Sequence, residues 1–139
     1  MLRHLTDLYL VGSDRYSDEE IDLIDDVFVR LVATIEQSSR ALLSLRLAPV
    51  PVAPPKILRL LACDDAIEVA SPVLTQAEGL DIGTLIECAR TKNQEHPLAI
   101  SRRKTLPANL TDVLVERGDQ QVVLSTAKNA GSRTKVSIP

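Results

Sequence analysis

The 139-residue sequence has no Trp, one Phe, two Tyr and one Met. Three flat aromatic side chains are too few to build the stacking platforms that hold single-stranded nucleic acid. Five Gly leave little material for Gly-rich phosphate loops, and neither a P-loop nor a dinucleotide fingerprint occurs. Only two His are present, His4 and His96, which excludes a His-rich metal centre, and no H-E-x-x-H or G-x-S-x-G segment exists. The two Cys, Cys63 and Cys88, lie in separate apolar stretches, in no C-x-x-C spacing and without a neighbouring His, and read as two core thiols in a reducing compartment. No run of about 18 apolar residues and no signal-peptide pattern is found. The expectation is a cytoplasmic protein with no membrane partner.

What is present is aliphatic. Apolar residues make up 45% and charged residues 25%, the composition of a folded chain of single-domain length. The net charge is −3, opposite to the footprint of a dedicated DNA-binding domain. It is unevenly spread: residues 1–36 carry three basic and nine acidic side chains, and the remainder thirteen and ten. An acidic front and a mildly basic back can steer protein association, including self-association.

Helix grammar is strong from Ser17 onward. Ser17-Asp18-Glu19-Glu20 is a capping box, with acidic residues crowding the first turn where the helix dipole favours them. Apolar residues then recur at Ile21, Ile24, Phe28, Leu31, Ile35, Leu42 and Leu45, thickened by Leu23, Val27, Val32 and Leu43. No Gly or Pro interrupts 18–47, so the spacing predicts one long helix, ended by Pro49 and its neighbours Pro51, Pro54 and Pro55. Upstream, Leu2, Leu5, Leu8 and Leu10 predict a short helix ending near Gly12 that packs back on the long one. Residues 1–48 are thus expected to form an N-terminal helical hairpin, and 49–55 an extended Pro-rich connection.

Residues 56–129 read as degenerate helical repeats. Short apolar patterns occupy 55–63, 65–75 and 82–91, a segment opened by Pro97, residues 106–115, and a stretch after Asp119. They pair through Asp64-Asp65, through Asn93-Gln94-Glu95 and through Gly118-Asp119, with Asp65 and Asp119 each four residues before a Val and placed to cap the second helix. Helices of about ten residues are marginal alone. Stacked in pairs they bury a continuous core, the logic of an α-solenoid. Residues 112–125 also fit a β-hairpin, though the repeat favours helices. The polar end, 130–139, is expected to fray. The whole chain is expected to be one all-α structural domain.

Several separated blocks carry a family resemblance: Leu2-Arg3-His4-Leu5-Thr6-Asp7-Leu8-Tyr9-Leu10, Ile24-Asp25-Asp26-Val27, Arg46-Leu47-Ala48-Pro49, Ile67 to Leu74, His96 to Arg103, and Leu114 to Asp119. Together they resemble the bacterial, mainly alphaproteobacterial, family called domain of unknown function 2336. The resemblance implies a HEAT-like helical repeat. It brings no activity, cofactor or catalytic residue to transfer, and it implies that related chains are usually longer.

The chemical inventory is thin. Asp25-Asp26 and Asp64-Asp65 are adjacent, and adjacent positions on a helix do not face one another, so neither forms an acid/base dyad. His96 precedes Pro97 at a helix start, close in sequence to a basic cluster of Arg90, Lys92, Arg102, Arg103 and Lys104. Arg102 and Arg103 are suited to phosphate or carboxylate, although a solvated helix end explains the same residues. The expectation is a non-enzymatic protein-interaction or scaffolding module. It has no catalytic residues, no metal and no cofactor; its partner is an unidentified protein, with a homodimer through the N-terminal helices as a further possibility. Candidate interaction residues are His96, Arg90, Arg102, Arg103 and Lys104. The alternatives are nucleic-acid or anion binding through Arg90 to Lys104, and an enzyme built on His96.

Overall fold

The computed structural model describes residues 2–12 and 14–137, with side chains described as far as 129. Nine helices and no strand occur among the described residues: α1 (Leu2–Gly12), α2 (Asp18–Val32), α3 (Gln37–Leu47), α4 (Pro55–Ala62), α5 (Ile67–Gln76), α6 (Ile82–Thr91), α7 (Glu95–Ser101), α8 (Ala108–Arg117) and α9 (Gln120–Ser137). The capping box at Ser17 forms as expected: the Glu20 amide donates to Ser17 Oγ at 3.2 Å and the Ser17 amide to Glu20 Oε1 at 3.0 Å. Residues 112–125 belong to α8 and α9, so the hairpin alternative does not occur.

The single helix expected over 18–47 is two helices. α2 ends at Val32, and Glu36 at the start of α3 is extended, with ψ of 166°. No Gly or Pro makes this break. Three of the four residues Val32-Ala33-Thr34-Ile35 are β-branched and poor helix formers. The Thr34 hydroxyl and amide both donate to the Leu31 carbonyl, at 2.8 and 3.0 Å, offering the chain a local alternative to the helix. Arg40 then holds the break from below by donating to the Ile35 carbonyl at 3.0 Å. The interruption also shifts the apolar register. In α3 the buried positions are Leu43, Ser44 and Leu47, while Leu42 and Leu45, part of the expected stripe, are exposed.

Packing follows two series. α2 packs on α4, α4 on α6 and α6 on α8; α3 packs on α5, α5 on α7 and α7 on α9. Consecutive members join as the pairs α4–α5, α6–α7 and α8–α9. The core between them is aliphatic, with Leu47, Ile57, Leu58, Leu61, Leu74, Ile100, Leu110 and Leu114 fully buried. Buried Ala62, Ala70 and Ala99 keep side-chain bulk low where helices meet. At the last turn, Gly118 is held by space: a Cβ there would stand 2.4 Å from Val122 Cγ1 and 2.5 Å from the Leu114 carbonyl oxygen.

The three aromatic residues of the chain sit together at its N-terminal end. Tyr9 stacks against Tyr16 with ring centroids 6.1 Å apart and meets Phe28 edge-on at 6.2 Å, and its hydroxyl donates to the Val52 carbonyl. Tyr9, rather than Leu8, therefore anchors α1, and Leu8 is exposed. At the other end α9 remains helical to Ser137, beyond the expected fraying point. Asn129 fixes it by donating to the Ser101 and Arg103 carbonyls, each at 2.8 Å. Residues 138 and 139 of the expected polar tail lie outside the described residues.

Among the described residues one buried polar atom is unsatisfied: Ser44 Oγ on α3 has no hydrogen-bond partner. Ser44→Ala removes that hydroxyl and gains helix propensity, so the variant is expected to be more stable by about 1 kcal/mol. Urea unfolding followed by circular dichroism measures it; a loss of stability would mean that the hydroxyl has a partner in solution.

Candidate functional site

Because the paired helices are short and antiparallel, their connecting turns gather along one edge, where polar side chains link turn to turn. Arg40 donates from Nε to Asp64 Oδ2 at 2.8 Å, joining the break before α3 to the α4–α5 turn. Asp64 Oδ1 accepts the Ala66 amide at 3.0 Å. The next link is His96, fully buried, whose Nε2 lies 2.8 Å from the Asp64 carbonyl oxygen and donates to it, since a carbonyl only accepts. Lys92 pairs with Asp65 at 2.7 Å, and this partner holds the Asp65 carboxyl below its ordinary range. Gln94 closes the series by accepting the Asp119 amide at 2.8 Å and donating to the Arg117 carbonyl at 3.2 Å.

This ladder assigns roles that the sequence left open. Asp119 caps α9 as expected, accepting the Val122 amide at 3.0 Å. Asp65 does not cap α5; the N-cap of α5 is Ala66 with no side-chain bond, and Asp65 is the partner of Lys92. The longer turn lets Asp64 take the local amide and leaves Asp65 pointing at its neighbour pair. The hydrogen-bond partners of His96 are a backbone carbonyl and, more weakly at 3.5 Å, Asn93 Oδ1. Neither is a carboxylate or a thiol, and among the described residues no three His, Cys, Asp or Glu side chains group to hold a metal ion.

The basic cluster is divided by the α6–α7 hairpin. Arg90 lies in the last turn of α6, at the turn edge, while Arg102, Arg103 and Lys104 follow α7 at the opposite end. Arg103 is a structural cap: its guanidinium donates to the Leu74 and Ala77 carbonyls at 2.7 and 2.6 Å, closing the C-terminus of α5, and burial pushes its pKa down. Exposed Arg102 and Lys104 border a shallow cavity of about 660 Å³ shared with Thr75, Gln76, Glu78 and Thr105. Glu78 places a carboxylate among these cations, and Arg90 does not line the cavity.

Two features went unread in the sequence. Cys63 caps the C-terminus of α4 and Cys88 lies fully buried in α6, yet their sulfurs are 3.5 Å apart. Their separation of 25 residues is close to the spacing from one helix pair to the next, which is the signal that would have joined them. Burial and the adjacent Cys63 push the Cys88 thiol up to about 12. The second feature is apolar exposure on α1, α2 and α3, at Leu8, Val11, Leu23, Val27, Leu42 and Leu45. The Asp7–Arg46 ion pair ties α1 to α3 beside Leu8 and Leu45.

No helix among the described residues is long and apolar enough to cross a membrane. Neither a curated protein nor a solved structure matches the chain. Residues 69–135 match the model of the family described as an uncharacterised protein conserved in bacteria, domain of unknown function 2336. The match runs from α5 into α9, leaving outside it the resembling blocks around Leu2 to Leu10, Ile24 to Val27 and Arg46 to Pro49. Through these last five helices, just under half of the chain, the sequence is similar to the bacterial family of domain of unknown function 2336.

Proposed function

We propose that the protein is a non-enzymatic, HEAT-like helical-repeat module that binds another protein through its first three helices, in the cytoplasm. The observation that carries this reading is the apolar exposure of α1–α3: Val11 is 81%, Leu42 62% and Leu45 55% exposed, and among the described residues six of the eleven exposed large hydrophobics lie before residue 46. Exposed apolar side chains clustered on one part of a surface mark interaction sites, whereas single ones scattered elsewhere need no explanation. The two-series packing supports the repeat reading, because stacked helix pairs present broad, rigid faces. The anion-binding alternative has less support, since Arg103 is engaged by α5 and Arg90 lies at the far end of the hairpin.

The test is affinity capture from native cytosol, run in parallel on the wild type and on a Leu42→Asp, Leu45→Asp double variant. Both positions are exposed, so the variant should keep the wild-type circular dichroism spectrum. The expected result is a protein recovered with the wild type and reduced at least tenfold with the variant; light scattering shows whether that protein is a second copy of the chain. Identical recovery from both proteins, with a monomer in solution, would overturn the reading.

A further inference from the structure

We propose that Cys63 and Cys88 form a reversible dithiol–disulfide pair that reacts with hydroperoxides. The geometry carries this. The two sulfurs stand 3.5 Å apart across the α4–α6 contact, so a disulfide, with a bond of about 2.05 Å, requires them to approach by only about 1.5 Å. Their burial differs in the way a two-step oxidation requires. Cys63, at the end of α4, is half-buried and reachable, whereas Cys88 is fully enclosed and its Sγ lies 3.6 Å from the Ala62 carbonyl oxygen. Redox-sensor cysteines are solvent-accessible and often stand beside a resolving partner, the arrangement of Cys63 and Cys88.

The reaction balances without a metal or cofactor. The Cys63 sulfur attacks the terminal oxygen of the hydroperoxide; an S–O bond forms, the O–O bond breaks, and the departing oxygen takes the Cys63 proton and leaves as an alcohol, or as water from hydrogen peroxide. Cys88 then attacks the resulting sulfenic acid. The S–S bond forms as the S–O bond breaks, and hydroxide departs with the Cys88 proton as water. Two thiols have lost two electrons and two protons in total, and the peroxide has gained them. A small-molecule or protein dithiol reverses the step by thiol–disulfide exchange. The bond would join the C-terminal end of α4 to α6, between turns already linked by His96–Asp64 and Lys92–Asp65.

The test uses the folded wild-type chain and hydrogen peroxide, read by intact mass and by maleimide labelling of remaining thiols. The expected product is a monomer lighter by two hydrogens, with no free thiol, yielding a linked Cys63–Cys88 peptide and returning to the reduced mass with dithiothreitol. Cys88→Ser is expected to stop at a Cys63 sulfenic acid that dimedone traps, and Cys63→Ser to slow peroxide consumption at least tenfold. The wild-type measurement alone is decisive should a variant not fold. Thiols that stay unmodified in the folded chain, Cys63 oxidised to sulfinic acid beside a free Cys88, or disulfides only between molecules would each overturn the proposal.

Discussion

Phe28→Ala is expected to cost about 3–5 kcal/mol of folding stability, the range for emptying a buried aromatic site. Phe28 is fully enclosed and is the only Phe of the chain. Its ring lies edge-on to Tyr9, an arrangement that adds about 0.5–1.5 kcal/mol beyond area burial. Tyr9 in turn stacks on Tyr16 and donates to the Val52 carbonyl, so one ring on α2 supports both the seat of α1 and the Pro-rich connection before α4. For a domain whose total stability is about 5–15 kcal/mol, the loss is a large fraction. Urea unfolding followed at 222 nm measures it, and near-ultraviolet dichroism of the two tyrosines reports on the cluster itself. Leu8→Ala, at an exposed position on α1, is the control and should stay within about 0.5 kcal/mol. A Phe28→Ala loss below about 1 kcal/mol would mean that the α1–α2 junction melts separately from the rest.

How far the sequence reached depends on whether a determinant is local. The short helices α4 to α8 were legible because their apolar spacing is local; the structure adds nearby start signals that the spacing did not use, Pro55 at the first position of α4, Asp81 capping α6 through the Thr84 amide, and Pro107 before α8. The break between α2 and α3 was not, since half of it is made by Arg40, whose bonds to Ile35 and Asp64 depend on the fold already being in place. Once the break exists, the four turns and interruptions align and the polar ladder follows. His96 illustrates the same limit. A buried His at a helix start looks like a candidate base in sequence, and its actual partner is a carbonyl 32 residues away. The division of the basic cluster was more accessible, because a seven-residue α7 folding back on α6 necessarily sends Arg90 and Arg102 to opposite ends. The scarcity of aromatics likewise has a position as well as a consequence. All three lie where α1 and α2 meet, and the helix pairs that follow pack mainly on aliphatic side chains.

Asp25→Ala should be comparably damaging, at about 2–6 kcal/mol, for a different reason, since two buried amides each lose their acceptor at about 1–3 kcal/mol. α4 begins with Pro54 and Pro55 and has no cap of its own. Asp25, on α2 and fully buried, supplies one from outside: its oxygens accept the Lys56 and Ile57 amides, each at 2.8 Å. Outside this bond, the Lys56 ammonium bridges Asp22 and Asp26 at 3.1 and 2.9 Å. Alanine leaves two inward amides without acceptors at the positive end of a helix. Asparagine keeps one acceptor and turns an N–H₂ group toward a donor, so Asp25→Asn should recover only part of the loss. The pH dependence separates burial from hydrogen bonding. Burial pushes the Asp25 carboxyl above its ordinary value, outweighing the two amides and Lys56, which pull it down. A carboxyl raised in the folded state contributes stability that is complete below the unfolded value of about 3.9 and is lost as pH rises through the folded one. The difference in unfolding free energy between wild type and Asp25→Asn is therefore expected to shrink from acidic pH toward neutrality, with the other carboxylates cancelling between the two proteins. A gap that widens over the same range would show that the α4 amides, and not burial, govern the carboxylate, and would make Asp25 a true anionic cap.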